Sequence, residues 1–282
     1  MNLNQLEILN NKSVQHMLLA GFLFSLMNVS VKLIPHIPAI EIILFRSVFS
    51  LVLTYILLKK ENVPVLGSNK KLLIIRGVAG SVGLMAFFYT LQNIPLASAV
   101  TLNYLAPVFT TILGIFIVKE KVQARQFLYF GVSFLGVIVI EGFDPRISTF
   151  DLSIALIASL AMGVAYNVIR KLKNSEHPLV IMFYFPLITI PIAAIATYYL
   201  WVLPTGWDWV ILLAVGLLTQ FAQNLMTLAY QNAQLSKVAS LSYIGIIYAL
   251  VFGFFVFAET DSLVVFFGMA LVLIGVILNI FK

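Results

Sequence analysis

Five polar side chains recur at helical spacing in and just after one apolar stretch of the chain, Trp209 to Tyr230. They are Gln220, Gln223, Asn224, Thr227 and Gln231. Side chains three, four and seven residues apart lie on one face of a helix. Amide and hydroxyl groups form hydrogen bonds but do not act as acids or bases near neutral pH. The pattern therefore predicts either the wall of a site that binds a polar solute or a set of hydrogen bonds between helices.

Other apolar stretches carry polar faces of the same kind. Asn28 follows Ser25 in the first stretch, and Tyr166 follows Ser159 in the sixth, each pair at helical spacing. In the fourth stretch, Pro107 removes one helical hydrogen bond, which predicts either a hinge or an ordinary kink. Together these faces predict a substrate site. Its candidate residues are Asn28, Arg46, Tyr89, Asn103, Tyr104, Tyr166, Gln220, Gln223, Asn224, Thr227 and Tyr243.

Arg46 is the one strongly charged side chain well inside an apolar stretch. An arginine at the centre of a membrane costs at least ~2.5 kcal/mol, so we expect it to be paired. Glu41 lies five positions earlier, which is the wrong spacing for a pair within one helix. We therefore expect a partner from another helix, and either a structural tie or contact with a substrate carboxylate. Lys32, Arg170 and Lys171 lie near the ends of stretches, and we expect them to extend toward the membrane surface.

Glu120 and Glu259 each follow the end of an apolar stretch. A carboxylate at a helix C-terminus opposes the helix dipole, so the repeated choice is unfavourable unless it has a partner. It predicts a salt bridge at a gate, and the alternative is a solvated helix end. Pro107, Glu120 and Glu259 are accordingly the candidate gating residues.

The composition identifies the solvent that these residues meet. Of 282 residues, 61% are hydrophobic and 10% are charged, with a mean hydropathy of +1.04. Soluble domains are about 25% charged, so the chain is predicted to be an all-α integral membrane protein. Ten apolar stretches are each close to the length that crosses a bilayer. They are Val14 to Ile34, Ala39 to Leu58, Leu72 to Asn93, Ala97 to Val118, Gln126 to Gly142, Leu152 to Arg170, Leu179 to Trp201, Trp209 to Tyr230, Val238 to Phe257 and Leu263 to Phe281.

Positive charge is distributed unequally between alternate connections. Taken alternately from the N-terminus, the connections between stretches form two sets. Of the 17 Lys and Arg residues, 14, including Arg76, lie in or beside the connections of one set. The other three are Lys32, Arg46 and Arg146. Because positive residues favour the cytoplasmic side, both termini are predicted to be cytoplasmic, with residues 1–13 as a cytoplasmic tail. The net charge of +6 therefore reflects topology, and no nucleic-acid partner is expected.

The chain also repeats itself at an offset of 139 positions, which relates Tyr104 to Tyr243. The same offset relates Asn28 to Asn167, Gln92 to Gln231 and Glu120 to Glu259. Two units are predicted, 14–142 with helices one to five and 152–281 with helices six to ten. Since five is odd, the second unit enters the membrane from the opposite face. Inverted repeats of this kind are typical of secondary transporters, in which two related gates open alternately around a central site.

The stretch RGVAGSVGLMAFFYTLQNIPLASAVTLNYLAPVFTTILGIFIVKEKV, followed by GVSFLGVIVIEG, resembles the EamA domain of the drug/metabolite transporter superfamily. The resemblance covers nearly the whole chain as two such domains. It implies a ten-helix carrier of small metabolites in the inner membrane, often an exporter, with a cavity lined by helices one, three, four, six, eight and nine. The second copy departs from the pattern, since Ile246 stands where the first has Pro107.

These observations predict a secondary transporter that moves a small polar metabolite by alternating access. An amino acid or another zwitterionic or anionic solute, exported from the cell, is the first hypothesis, because no central carboxylate is present to attract a cation. Uptake or exchange of S-adenosylmethionine, a nucleotide or a carboxylate is the alternative. A coupling ion or counter-substrate is expected, and the protein is either a monomer or a homodimer.

Catalysis is not expected from this sequence. It contains no HExxH, GxSxG or phosphate-binding loop, no cysteine, and no central histidine, so neither a cofactor nor a metal is predicted. A scaffold that does not transport would have no use for the polar stripe beyond packing.

Overall fold

The computed structural model describes residues 12–103, 105–119, 123–143, 146–233, 238, 241, 244–259 and 262–280. The described residues form helices joined by short connections, and no strand occurs among them. The helices are α1 (Lys12–Lys32), α2 (Ala39–Lys60), α3 (Lys70–Asn93), α4 (Leu96–Asn103), α5 (Ala106–Ile117), α6 (Ala124–Phe143), α7 (Thr149–Lys171), α8 (Pro178–Leu200), α9 (Trp207–Asn232), α10 (Ile244–Phe257) and α11 (Leu263–Ile280).

Seven helical segments of the described chain are long and apolar enough to cross a membrane. Six of them are the single helices α1, α2, α3, α7, α8 and α9, and the seventh is Leu96–Ile117, which contains α4 and α5. The apolar parts recognised in α10 and α11 are shorter. The protein is therefore an all-helical, multi-pass membrane protein.

Local signals in the sequence explain where several helices begin. The side chain of Asn69 accepts a hydrogen bond from the backbone N–H of Leu72 and caps α3. Ser148 and Asp151 form a reciprocal capping box at the start of α7. Pro178 occupies the first turn of α8, where its missing N–H costs nothing.

The helices pack in pairs that follow the sequence repeat. α1 packs mainly on α9 and α3 mainly on α7, while α2 packs on α8 and α6 on α11. A shift of 139 positions carries α1 onto α7 and α3 onto α9, so the first two pairs are equivalent by sequence. The same shift carries α2 onto α8 and α6 onto α11. Each of the other two pairs therefore consists of two helices that are equivalent to one another by sequence.

Individual hydrogen bonds recur in the same way. Gln92 Nε2 donates to the carbonyl of Ile37 at 2.8 Å, and Gln231 Nε2 donates to the carbonyl of Glu176 at 3.1 Å. Both the donors and the acceptors of these bonds are 139 positions apart in the sequence. The same contact is thus formed once in each half of the chain.

A second recurring contact joins the hydroxyl of Ser50 to Gln220 Oε1 at 2.6 Å and the hydroxyl of Thr189 to that of Ser81 at 2.7 Å. Ser50 and Thr189 are equivalent by sequence, and so are Ser81 and Gln220. The polar groups that tie α2 to α9 and α8 to α3 are therefore matched in position although their chemistry differs.

The segment from Leu96 to Ile117 is divided between α4 and α5. Pro107 stands in the first turn of α5 and has no N–H to offer the carbonyl of Asn103, four residues earlier. The hydroxyl of Ser159 on α7 lies 2.9 Å from the carbonyl of Leu102 and 3.5 Å from that of Asn103. A neighbouring helix therefore offers a donor to the backbone where the helix is interrupted. Tyr104 lies outside the described residues.

Gly163 allows α7 to lie close to α5. A Cβ atom added at Gly163 would lie 2.9 Å from Phe109 Cβ and 3.1 Å from the Phe109 backbone. Gly131 on α6 is the opposite case, because an added Cβ there meets nothing within 4 Å.

We predict that Gly163→Leu destabilises the protein and that Gly131→Leu does not. The first change forces α7 away from α5, and overpacking of this kind costs about 1–3 kcal/mol. The second adds only lipid-facing surface. The measurement is the melting temperature of each detergent-purified variant. Equal melting temperatures for the two variants would contradict the close contact between α5 and α7.

Candidate functional site

A cavity of about 110 Å³ lies where α1, α2, α3, α7, α8 and α9 meet the junction of α4 and α5. Its volume is below the ~300 Å³ at which sites for drug-sized ligands begin, so in this conformation it suits a small solute. Most of its wall is apolar, including aromatic rings and methionines. The polar side chains in the wall are Asn28, Arg46, Arg76, Asn103, Tyr166, Gln223 and Tyr230.

Five of these side chains carry at least one buried atom that has no hydrogen-bond partner among the described residues. The unpaired atoms are Asn28 Oδ1, Arg46 Nε, Arg76 Nε and Nη1, Asn103 Oδ1 and Gln223 Nε2. A buried polar group left unpaired costs about 1–3 kcal/mol, so a cluster of them in one place requires a reason. Donors and acceptors that the protein does not use are available to a polar solute.

The two arginines of the wall converge on one aromatic ring. The guanidinium carbons of Arg46 and Arg76 lie 5.8 and 4.7 Å from the ring centroid of Phe185, and Arg46 also lies 5.3 Å from that of Phe88. Their exposed fractions are 3% and 2%, so both charges are almost fully removed from solvent. No described acidic side chain belongs to the cavity wall. The ring faces provide partial compensation for the charges, and the cavity is strongly electropositive.

The partner expected for Arg46 from another helix is thus an aromatic ring of α3 or α8, rather than a carboxylate. Glu41 lies on the same helix but accepts a hydrogen bond from the backbone N–H of Val202 at 3.0 Å instead. No ion pair to Arg46 is formed by the residues that the structure describes.

Arg76, which the charge pattern groups with the basic residues of the cytoplasmic connections, was not predicted as a site residue. Its side chain is buried in the cavity wall. One signal was available, since the apolar stretch begins at Leu72 and Arg76 therefore lies a full turn inside it. A Cβ atom added at Gly80 would collide with Arg76 Nη1 and lie 3.0 Å from the Phe185 ring. The absent side chain of Gly80 provides the space that the guanidinium occupies.

Two tyrosines form another part of the wall. The rings of Tyr166 on α7 and Tyr230 on α9 are stacked, with centroids 4.6 Å apart and an interplanar angle of 15°. The hydroxyl of Tyr166 lies 3.2 Å from the sulfur of Met162, which is a weak acceptor. Tyr230, like the methionines and Phe185, was not anticipated from the sequence, because an apolar or aromatic residue in a membrane helix carries no signal of which neighbour it faces.

The cavity thus brings together some of the predicted site residues and leaves others elsewhere. Those in its wall are Asn28, Arg46, Asn103, Tyr166, Gln223 and Pro107. Those described away from it are Tyr89, Gln220, Asn224 and Thr227. Tyr104, Tyr243 and Glu120 lie outside the described residues.

The polar stripe of α9 therefore divides between the two hypotheses for it. Gln223 faces the cavity, whereas Gln220 accepts a hydrogen bond from Ser50 at 2.6 Å and donates one to Thr54 at 3.0 Å, both on α2. The hydroxyl of Thr227 donates to the carbonyl of Gln223 within α9. Tyr89, on α3, packs edge-on against the ring of Phe150 at 6.1 Å between centroids.

A separate polar cluster links the ends of α1 and α10 to the turn between α3 and α4. Lys32 Nζ lies 2.6 Å from Glu259 Oε1 and donates to the carbonyl of Ile94 at 3.0 Å. Glu259 Oε2 also accepts a hydrogen bond from the backbone N–H of Leu96 at 2.9 Å. The side chains of Lys32 and Glu259 are only 16% and 13% exposed. Lys32, which was expected to extend toward the membrane surface, is thus paired at the end of its helix, and Glu259 is not a solvated helix end.

Arg170, also expected at the membrane surface, donates from Nη1 to the carbonyl of Gln231 at 3.0 Å. In the described part of the chain, no group of three or more His, Cys, Asp or Glu side chains is arranged to hold a metal ion.

Several named transport proteins resemble the chain over most of its length. It is 28% identical over 262 residues to the pseudopaline exporter CntI of Pseudomonas aeruginosa, covering 92% of each chain. It is also 28% identical to the riboflavin transporter of Brucella anthropi, covering 84% of this chain and 86% of that one. Solute carrier family 35 member G1 of Homo sapiens is 29% identical, with 83% of this chain and 69% of that one covered.

The fold has a counterpart among solved crystal structures. One such structure superposes with a TM-score of 0.69 and covers 94% of both chains at 18% identity. At this identity the likeness concerns the fold alone.

The EamA-like transporter family matches this sequence twice, over residues 11–142 and 150–281. These matches span nearly the whole chain, and the helices described above identify a multi-pass membrane protein. The chain belongs to the EamA-like transporter family.

Proposed function

We propose that this transporter moves a small polar metabolite, zwitterionic or anionic, by alternating access, and that the cavity around Arg46 and Arg76 holds the solute. The observation that carries the proposal is the set of unpaired polar atoms in a mostly apolar cavity. Helices from both halves of the chain contribute to its wall, as alternating access requires. The family and the named relatives are transporters, so an enzymatic function has no support from them.

The proposed architecture is ten membrane helices in two inverted repeats of five, at 14–142 and 152–281, with both termini in the cytoplasm. The double match to the family supports it. The paired helix packing and the hydrogen bonds that recur at an offset of 139 also support it. In this arrangement α4 and α5 form one span, and α6, α10 and α11 complete the set.

Export is the proposed direction, and the similarity to the pseudopaline exporter supports it. Uptake or exchange of S-adenosylmethionine, a nucleotide or a carboxylate is the second candidate, and the electropositive cavity favours the anionic members of that group. A coupling ion or counter-substrate and a monomeric or homodimeric state complete the proposal.

The cluster around Lys32 and Glu259 is proposed as the outer gate. It joins the last turn of α1 and the end of α10 to the turn between α3 and α4. These are elements that must separate for the cavity to open on that side. The ion pair is largely screened from solvent, so its loss removes a contact specific to the closed state.

We predict that Gln223→Leu lowers transport by more than about tenfold and that Asn224→Leu does not. Both replacements remove an amide from α9, but only Gln223 lines the cavity, and an unpaired solute group costs about 1–3 kcal/mol. A panel of amino acids, organic anions, nucleotides and S-adenosylmethionine is first screened for the solute that most raises the melting temperature of the purified protein. The assay is exchange of that solute in proteoliposomes. Equal activity of the two variants would count against the cavity as the transport site.

We predict that Lys32→Gln exposes the cavity to the outside. The chain has no cysteine, so Val100→Cys in the cavity wall supplies a single thiol for labelling. If the replacement destabilises the closed state by about 1.4 kcal/mol, the rate at which a membrane-impermeant reagent labels this thiol should rise about tenfold. Lys59→Gln at the far end of α2 is the control, because it removes a lysine charge away from the cluster. An unchanged rate in Lys32→Gln would argue against this gate.

We predict opposite accessibility for the connections on either side of α8. In intact cells, an impermeant thiol reagent should label Leu203→Cys, between α8 and α9, because that connection is proposed to be external. Lys173→Cys, between α7 and α8, should be labelled only after permeabilisation. Both positions are exposed and the native chain contributes no thiol background. The reverse result would invert the proposed topology.

A further inference from the structure

We propose that Arg46 and Arg76 form one subsite for a dianionic solute, with either two carboxylates or one phosphate monoester. This inference rests on the proposed transport function and narrows its substrate class. It excludes an α-amino acid of zero net charge as the preferred substrate, although the sequence alone placed such a solute first.

The cavity contains two positive charges that no described carboxylate neutralises. Both guanidinium groups contact the face of the Phe185 ring, and both side chains are almost fully buried. Two like charges removed from water in one cavity are mutually unfavourable, and the described wall contains no carboxylate to neutralise them. A neutral zwitterion leaves two positive charges uncompensated and a monoanion leaves one. A dianion leaves none.

The unpaired donors include Nε of both arginines and Nη1 of Arg76. A guanidinium offers a planar fork of N–H groups that matches the oxygens of a carboxylate or a phosphate. Two such forks from different helices, α2 and α3, can bind two carboxylates or the oxygens of one phosphate.

The remainder of the described wall offers neutral acceptors and apolar surface. Among the described residues of the wall, the unpaired acceptors are the neutral amide oxygens of Asn28 and Asn103. A carboxylate, which would compensate an ammonium group, is missing from the described wall. The wall also offers apolar surface, from Phe88, Phe185 and the stacked pair of Tyr166 and Tyr230. This surface suits the uncharged body of a solute, because a cationic group placed there would be repelled by the two arginines.

The arrangement also depends on a residue with no side chain. A Cβ atom at Gly80 would collide with Arg76 Nη1 and approach the Phe185 ring. Gly80→Ala is therefore expected to displace the Arg76 guanidinium while leaving both charges in the protein. It tests the position of the charge separately from its presence.

The experiment compares solutes of nearly the same shape that differ by one charge. Binding to the purified full-length protein is measured by calorimetry and thermal shift for succinate against its monoamide succinamate, and for phenyl phosphate against its methyl ester. Leucine and tetraethylammonium are the zwitterionic and cationic probes. At least one dianion is expected to bind about tenfold or more tightly than its monoanionic partner, because a charge-assisted hydrogen-bonded pair is lost. The pair that shows this preference identifies whether the charges belong to carboxylates or to a phosphate.

Variants then assign the preference to the two arginines. Arg46→Met and Arg76→Met should each remove most of the difference between dianion and monoanion, and Gly80→Ala should reduce it. Arg125→Met, at an exposed position at the start of α6, should leave it unchanged. Because each replacement removes a buried charge that has no acidic partner in the described chain, the ligand-free melting temperature should stay the same or rise. A purely structural role for the arginines would instead lower it.

The possible outcomes separate this inference from the proposed transport function. Equal binding of dianion and monoanion, stronger binding of leucine or tetraethylammonium, or no binding of any dianion would overturn the dianion subsite. If leucine or succinamate nevertheless exchanges across proteoliposomes, the transport function stands without it. If a dianion binds as expected and no solute exchanges, the subsite stands and the transport function fails.

Discussion

The hydrocarbon core of a membrane provides no hydrogen-bond partners, and this constraint governs where each polar side chain of the protein lies. Gln220 is satisfied by Ser50 and Thr54, and Gln92 and Gln231 each bond a backbone carbonyl of a distant connection. Among the described residues, eleven buried side-chain atoms are unpaired; five are scattered, and the other six, including those of Arg46 and Arg76, line one cavity. Their clustering in a single cavity, rather than their polarity, distinguishes a site from ordinary helix packing.

The two halves of the chain use equivalent positions differently. Asn28 and Asn167 are related by the repeat and the amide oxygens of both are unpaired, but Asn167 Nδ2 donates to the carbonyls of Thr110 and Gly163 at 2.8 and 2.9 Å, and only Asn28 lies in the cavity wall. Arg46 is related to Phe185, the ring that both arginines contact. All of the positive charge in the described wall therefore comes from the first half. The repeat supplies a symmetric scaffold, and substitutions on one side of it make the site electrostatically asymmetric.

Glycine positions contribute to this arrangement in two separate ways. At Gly163 the absent side chain lets α7 approach the junction of α4 and α5, where Ser159 reaches the carbonyl of Leu102. At Gly80 it leaves room for a charged group instead of another helix. The lack of a Cβ atom therefore has two different effects. At Gly163 it allows two helices to pack closely, and at Gly80 it makes room for a side chain of the cavity wall.

The sequence by itself determined that the chain is helical, crosses the membrane several times, repeats after 139 residues and belongs with transporters. Hydropathy, helical spacing and repeated letters are local properties, and they can be assessed without knowing which helices touch. Only the tertiary structure decided which polar residues share a cavity. It separated Gln223 from Gln220 on one helix face, placed the side chain of Arg76 in the cavity wall, and joined Lys32 to Glu259. The physical reason is that the partner of a buried polar group is set by the rotation and neighbours of its helix, and these follow from packing across the whole molecule rather than from residues nearby in the chain.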